Sequence, residues 1–99
     1  MLFLDVDRFK LLNDTLGHDT GDYILKHVAR RLTSCVREID TVSREGGDEF
    51  VVILPDLDRP ENASVVAEKI LREFARPVEI GGQEIHITTS IGIAHYPND

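Results

Sequence analysis

Apolar and polar positions along the chain fall into short blocks whose period changes from block to block. Residues 2–6 form an apolar run closed by Asp5 and Asp7, the length of a buried strand. Residues 8–16 then take helical spacing, with Phe9, Leu12 and Leu16 on one face, and Gly17 stops that helix. Asp19 is placed to cap a second helix over about 21–38, with Asp22 in its first turn. Its apolar positions Ile24, Leu25, Val28, Ala29, Leu32 and Val36 keep a period near 3.6.

The second half reads in the same way. Residues 41–44 and 49–54 flank Gly46-Gly47 as two strands of a hairpin, and Pro55 ends the second. Asp58 and Glu61 resemble a capping box with Pro60 in the first turn, and Val66, Ile70, Leu71 and Phe74 predict the buried face of a third helix. Pro77 closes it. Residues 78–80 and 83–87 around Gly81-Gly82 predict another hairpin, and 88–96 continue as a β-rich run. The order strand, helix, helix, strand, strand, helix, then two or three strands fits an α+β two-layer sandwich. A split βαβ, ferredoxin-like arrangement is expected, with the helices on one face of an antiparallel sheet.

At 99 residues the chain holds one domain, and its 41% apolar content in periodic blocks argues against disorder. The net charge of −7 argues against a nucleic-acid partner, which would need clustered Lys and Arg. It leaves a nucleotide open, because a divalent cation can bring phosphates to an acidic site. One cysteine, Cys35, permits no internal disulfide and reads as a small packing residue, which fits a reducing, cytoplasmic setting. No stretch is long enough to span a membrane and no signal peptide is read, so no direct membrane contact is expected.

Two acidic clusters stand out: Asp5-Val6-Asp7 at the end of the first strand, and Gly46-Gly47-Asp48-Glu49 at a hairpin turn. Carboxylates set side by side repel unless a cation lies between them. Mg²⁺ favours a few carboxylates together with substrate phosphates. The glycines permit a tight turn and close approach of a ligand to the main chain. Ordinary solvated turns also collect Asp, Glu and Gly. On spacing alone both readings stay open. His18, His27, His86 and His95 lack ligand spacing, and His18 reads as a loop-shaping residue.

The run Asp5-Val6-Asp7-Arg8-Phe9-Lys10-Leu11-Leu12-Asn13-Asp14, followed by Gly17-His18 and Gly21-Asp22, resembles the opening signature of GGDEF domains. Arg44-Glu45-Gly46-Gly47-Asp48-Glu49-Phe50 contains the signature that names the family. Ala67-Glu68 and Ser90-Ile91-Gly92-Ile93-Ala94 are similar to later parts, so the resemblance covers essentially the whole chain. It implies a nucleotidyl-cyclase-like fold and a diguanylate cyclase that condenses two GTP into cyclic di-GMP in bacterial signalling.

The resemblance also implies roles. Asp5 and Asp48, with the backbone carbonyl of Val6, would ligate Mg²⁺ or Mn²⁺. Gly46 and Gly47 would lie against the nucleotide, and Asn13 and Asp22 would bond the guanine edge. Lys10 and the backbone near Phe9 would meet the phosphates, while Asp48 or Glu49 would help deprotonate the ribose 3′-OH. One domain binds one GTP, so a homodimer is implied, driven together by a sensor or receiver domain of a parent protein that is itself soluble or membrane-anchored. Arg37 and Asp40, with Lys69, resemble a product-inhibition site for cyclic di-GMP; a plain surface pair at a helix end is the alternative.

GGDEF domains normally continue with a further helix and strand carrying a Lys and an Arg that grip the triphosphate. These 99 residues alone are therefore expected to turn over weakly or not at all. A silent nucleotide sensor and a purely structural dimerisation module are the competing classes. The intact signature speaks against the first, and the clustered carboxylates against the second.

Overall fold

The computed structural model describes residues 1–57 and 59–95. Within them β1 (Leu2–Val6) leads through α1 (Phe9–Leu16) and α2 (His18–Ser34) to the hairpin of β2 (Thr41–Gly46) and β3 (Glu49–Ile53). Then come α3 (Glu61–Phe74), β4 (Val78–Ile80), β5 (Gln83–Ile85) and β6 (Thr89–Ile93). The strands β2-β3-β1-β6 make an antiparallel sheet in that order, and β4-β5 form a separate two-stranded ribbon. The fold is the expected α+β type.

Alternation along β1 sets the layers. Leu2, Leu4 and Val6 are buried, while Phe3 and Asp5 face out. Phe50 and Val52 of β3 lie beside them, and Ile24, Leu25, Val28 and Leu32 of α2 with Ala63, Ile70 and Phe74 of α3 complete the core. Helices thus cover one face of the sheet. The other face carries Asp5 and Glu49 at one end and Phe3 and Ile53 towards the other.

Several local expectations are corrected. α2 begins at His18, and its N-cap is Gly17, so Asp19 lies inside the first turn rather than capping it. The reason is the φ of 94° at Gly17, which lets one residue end α1 and start α2. Its N–H donates to Asn13 O at 2.9 Å, and its carbonyl accepts from Gly21 N–H at 3.0 Å. α2 also stops at Ser34, four residues short of 38, after a tightened turn in which Cys35 N–H reaches Leu32 O at 3.0 Å. On α3, Leu71 is 49% exposed, and Ala63, Ala67, Ile70 and Phe74 form the buried stripe. The small alanines sit inward and Leu71 lies a step further round the helix. Pro60 is the N-cap of α3 and not a first-turn residue; Asp58, expected to cap, lies outside the described residues. β5 ends at Ile85, while Ile87 is buried beyond the strand. The β-rich run reaches Ile93 as β6, and residue 96 lies outside the described residues.

Candidate functional site

The end of β1 gathers the first acidic cluster. Asp5 stands in register with Glu49 of β3 on one side and Ser90 of β6 on the other. The next residue, Val6, donates its N–H to Asp48 O at 3.1 Å, which ties the signature turn to β1. Both acidic clusters therefore meet at one edge. The carboxylate directly across from Asp5 is that of Glu49, and Asp48 reaches the edge through its main chain.

The two aspartates of β1 and its exit differ in their partners. Asp7 is held by Ser90 Oγ at 2.7 Å and Thr88 Oγ1 at 2.9 Å, and its own N–H donates to Thr88 O at 2.9 Å. Among the described residues Asp5 is held only through its main chain, whose carbonyl accepts from Thr89 Oγ1 at 2.7 Å. Among the described residues nothing donates to the carboxylates of Asp5, Asp48 or Glu49. Asp7 is thus a structural link to β6, whereas these three carboxylates keep their oxygens open.

The signature turn is tied at both ends. Arg44 Nε donates to Gly47 O at 2.8 Å, the register shifts between Arg44 and Gly46, and Gly47 takes a φ of 42°. Phe50 is buried opposite Leu4 and anchors the returning strand. A Cβ added at Gly46 would meet no atom within 4 Å, and its φ is not in the left-handed range. The fold itself does not require glycine there.

α1 and α2 supply the third part. Phe9 and Asn13 lie one turn apart on α1 and both face Gly21 of α2. Asn13 Nδ2 is 2.8 Å from His18 Nδ1. Asp22 follows Gly21 and is exposed, as is Lys10 in the first turn of α1. Arg8 enters α1 in the left-handed region, at φ 55°. Asn13 and Asp22 therefore belong to one helix junction, and Lys10 lies between that junction and the acidic edge along the chain.

Arg37 and Asp40 form a hydrogen-bonded ion pair. The guanidinium NH2 reaches Asp40 Oδ1 at 2.8 Å and Pro55 O at 2.7 Å, and Arg37 N–H donates to Asp40 Oδ2 at 2.7 Å. The Asp40 side chain is 1% exposed and that of Arg37 49%. Burial would raise the Asp40 pKa, but the hydrogen bonds and charge of Arg37 outweigh it and hold the carboxyl below its ordinary range. A shallow groove lies over the pair, lined by Thr33, Val36, Arg37, Glu38, Asp40 and Val42. Lys69 is exposed on α3 and does not line this groove.

Among the described residues no group of three or more His, Cys, Asp or Glu side chains is placed to hold a metal. The described residues thus form no dedicated protein cage. Open carboxylate oxygens are still compatible in kind with Mg²⁺, which keeps waters and commonly takes only one or two protein carboxylates.

Sequence reasoning did not anticipate Thr88, Thr89 and Ser90 holding the β1 exit, or Arg44 pinning the turn. Hydroxyls in a β-rich run carry no signal until strand register places them. His18, read as a loop-shaping residue, also bonds Asn13; its spacing of five from that residue offered only a faint hint.

Comparison with known proteins adds to this picture. The family model described as "Diguanylate cyclase, GGDEF domain" matches residues 1–99. The chain is 44% identical over 99 residues to the bifunctional diguanylate cyclase/cyclic di-GMP phosphodiesterase MucR of Pseudomonas aeruginosa, covering 100% of this chain and 14% of that protein. It is 41% identical over 99 residues to the cyclic di-GMP phosphodiesterase NbdA of the same species, covering 100% of this chain and 12% of that protein. A solved EAL/GGDEF domain protein from M. capsulatus superposes with a TM-score of 0.93 at 49% identity, covering 99% of this chain and 63% of that one. The chain thus spans a small part of these curated relatives.

Proposed function

The chain belongs to the GGDEF family, a family of cyclic di-GMP metabolism, and from that premise we propose that it is the catalytic domain of a diguanylate cyclase. The observation that carries the reading is the register of Asp5 with Glu49, combined with the Val6 N–H to Asp48 O bond of 3.1 Å. Together these set three open carboxylates beside a turn whose Gly46 the fold does not need. A nucleotide lying against that turn supplies the missing reason for glycine.

In this reading Asn13 and Asp22 bond the guanine edge, where a carboxylate accepts from N1–H and the 2-amino group. Lys10 and the backbone at Phe9 hold phosphates, and Gly46 and Gly47 leave room for the sugar and phosphates. Asp48 or Glu49 accepts the proton of the ribose 3′-OH as its oxygen bonds to the α-phosphorus of a second GTP. The bond to the β-phosphate breaks and pyrophosphate leaves; a second, symmetric attack closes the ring. When bound, Mg²⁺ or Mn²⁺ held by Asp5, Asp48 and the Val6 carbonyl supplies charge neutralisation at the phosphates and lowers the hydroxyl pKa. Each domain offers one nucleotide site, so two domains face each other, brought together by a neighbouring sensor or receiver domain. Cyclic di-GMP returns as inhibitor to the groove at Arg37, whose half-exposed guanidinium is set for a phosphate or guanine edge by its pairing to the buried Asp40, while Lys69 stands outside that groove.

A second reading, a silent module that binds GTP or cyclic di-GMP and regulates a neighbour, is favoured by one fact. NbdA is named for phosphodiesterase activity although it matches this chain from end to end. The test is turnover of GTP with Mg²⁺ at high protein concentration, with cyclic di-GMP measured by chromatography. It is run on this chain and on a longer chain that contains it. Product from the longer chain, lost on Asp48→Ala, supports the cyclase. A folded, dimeric longer chain that binds GTP but makes no product supports the sensor.

A further inference from the structure

We propose that His18 is a positioning residue that fixes the amide of Asn13 in one orientation, so that guanine is read by a preset group. The proposal rests on the nucleotide reading above and deepens it. An asparagine amide presents two donors on one side and an acceptor on the other, nearly equal in shape, and its terminal torsion is soft. Left to itself, such a group can offer either side to a base.

Two contacts remove that freedom here. His18 Nδ1 lies 2.8 Å from Asn13 Nδ2. An amide nitrogen only donates, so Nδ1 must present its lone pair, and the imidazole is the neutral tautomer with its proton on Nε2. On the other side, Asn13 Oδ1 fills the space that a side chain at Gly21 would take, and Asn13 Cγ stands 3.1 Å from that Cβ position. The amide is thus clamped between an acceptor and a helix surface. One N–H of Nδ2 is used, and its second N–H and Oδ1 are left with defined directions. Gly17 makes the clamp possible, since its φ of 94° starts α2 at His18, only five residues after Asn13.

The clamp has a selective consequence. Guanine and adenine differ at the base edge and not at the phosphates. Loss of the preset orientation should therefore weaken guanine binding and spare what the phosphates contribute. The cost of one neutral hydrogen bond corresponds to about a five- to tenfold change in affinity.

The experiment compares GTP and ATP binding, with Mg²⁺, for the wild-type chain, His18→Ala, His18→Asn and His18→Gln, and adds a long-range ¹⁵N–¹H spectrum of the ligand-free protein. His18→Asn can place an acceptor near the position of Nδ1, whereas His18→Gln reaches the position of Nε2. Expected are a fall of about five- to tenfold in the GTP-to-ATP preference for His18→Ala and His18→Gln, recovery in His18→Asn, and a wild-type spectrum showing the proton on Nε2. Equal loss for both nucleotides, or no loss, overturns the proposal and leaves His18 a loop-shaping residue. A proton on Nδ1 in the ligand-free spectrum overturns it independently of any nucleotide. If the wild-type chain itself prefers neither base, the nucleotide reading has failed, and the proposal falls with it for that separate reason.

Discussion

Gly21 of α2 lies so close to Asn13 of α1 that a Cβ at position 21 would overlap Asn13 Oδ1 and come within 3.3 Å of Phe9 Cζ. Glycine inside a helix costs about 1 kcal/mol relative to alanine. The residue is buried, and the close helix approach is the structural reason for keeping it.

Gly21→Ala should accordingly separate helix propensity from site geometry. The new methyl gains in propensity and loses by displacing the Asn13 amide, so the net change in stability is expected to stay within about 1–2 kcal/mol. Guanine nucleotide binding should fall by at least tenfold. Thermal unfolding and calorimetric titration with GTP check the two halves; unchanged GTP affinity would show that Asn13 does not read the base.

The neighbouring glycines of the signature turn should behave differently from each other. Gly46→Ala meets no neighbour and needs no unusual φ, so its melting temperature should match that of the wild-type chain while nucleotide binding is lost. Gly47→Ala must adopt a φ of 42°, which costs about 1–2 kcal/mol for a residue with a Cβ. A stability loss at Gly46 equal to that at Gly47 would refute the view that position 46 is kept for a ligand.

Asp40→Ala should destabilise the fold by about 1–3 kcal/mol, because it removes the acceptor of Arg37 N–H and the carboxylate partner of its guanidinium, which keeps its bond to Pro55 O. The carboxyl is held below its ordinary value of 3.8, so its contribution is complete above that pH and lost as pH falls through the lower folded value. Urea unfolding at neutral pH and at pH 3 measures this. The difference between wild type and variant should shrink in acid.

His27 gives a second, separate pH dependence. Among the described residues no group bonds its buried Nε2, and its ring stacks on that of Tyr23 with centroids 6.4 Å apart. Burial, followed by the charges of Arg31, Arg30 and Arg76, lowers its pKa below 6.5. The unfolded chain then binds the proton more readily, so stability falls as pH drops from 6.5 towards the folded value. His27→Gln should flatten the melting temperature across that window. An unchanged slope would mean that another group titrates there.

Much of this protein was legible because its information is local. The strand at 2–6, the Gly46-Gly47 hairpin and the α1 stripe follow from period and turn chemistry, and the ordered motifs point to the family without any coordinates. Errors arose where local signals tie. Asp19 looks like a cap, but only the backbone at Gly17 decides where α2 starts. Leu71 is as apolar as Ile70, and only the packing of α3 against the sheet decides which of the two is buried.

By itself the sequence determined the element order, the acidic clusters and the residues available for nucleotide chemistry, since these depend on side-chain type and near-neighbour spacing. Tertiary structure alone decided that Asp5 faces Glu49, that Asp7 is consumed by Thr88 and Ser90, and that Asn13 is wedged between His18 and Gly21. Strand register joins Asp5, Glu49 and Ser90 from distant parts of the chain, and a shift of one residue in that register would turn a strand's side chains to the opposite face; the approach of α1 to α2 sets the contacts of Asn13.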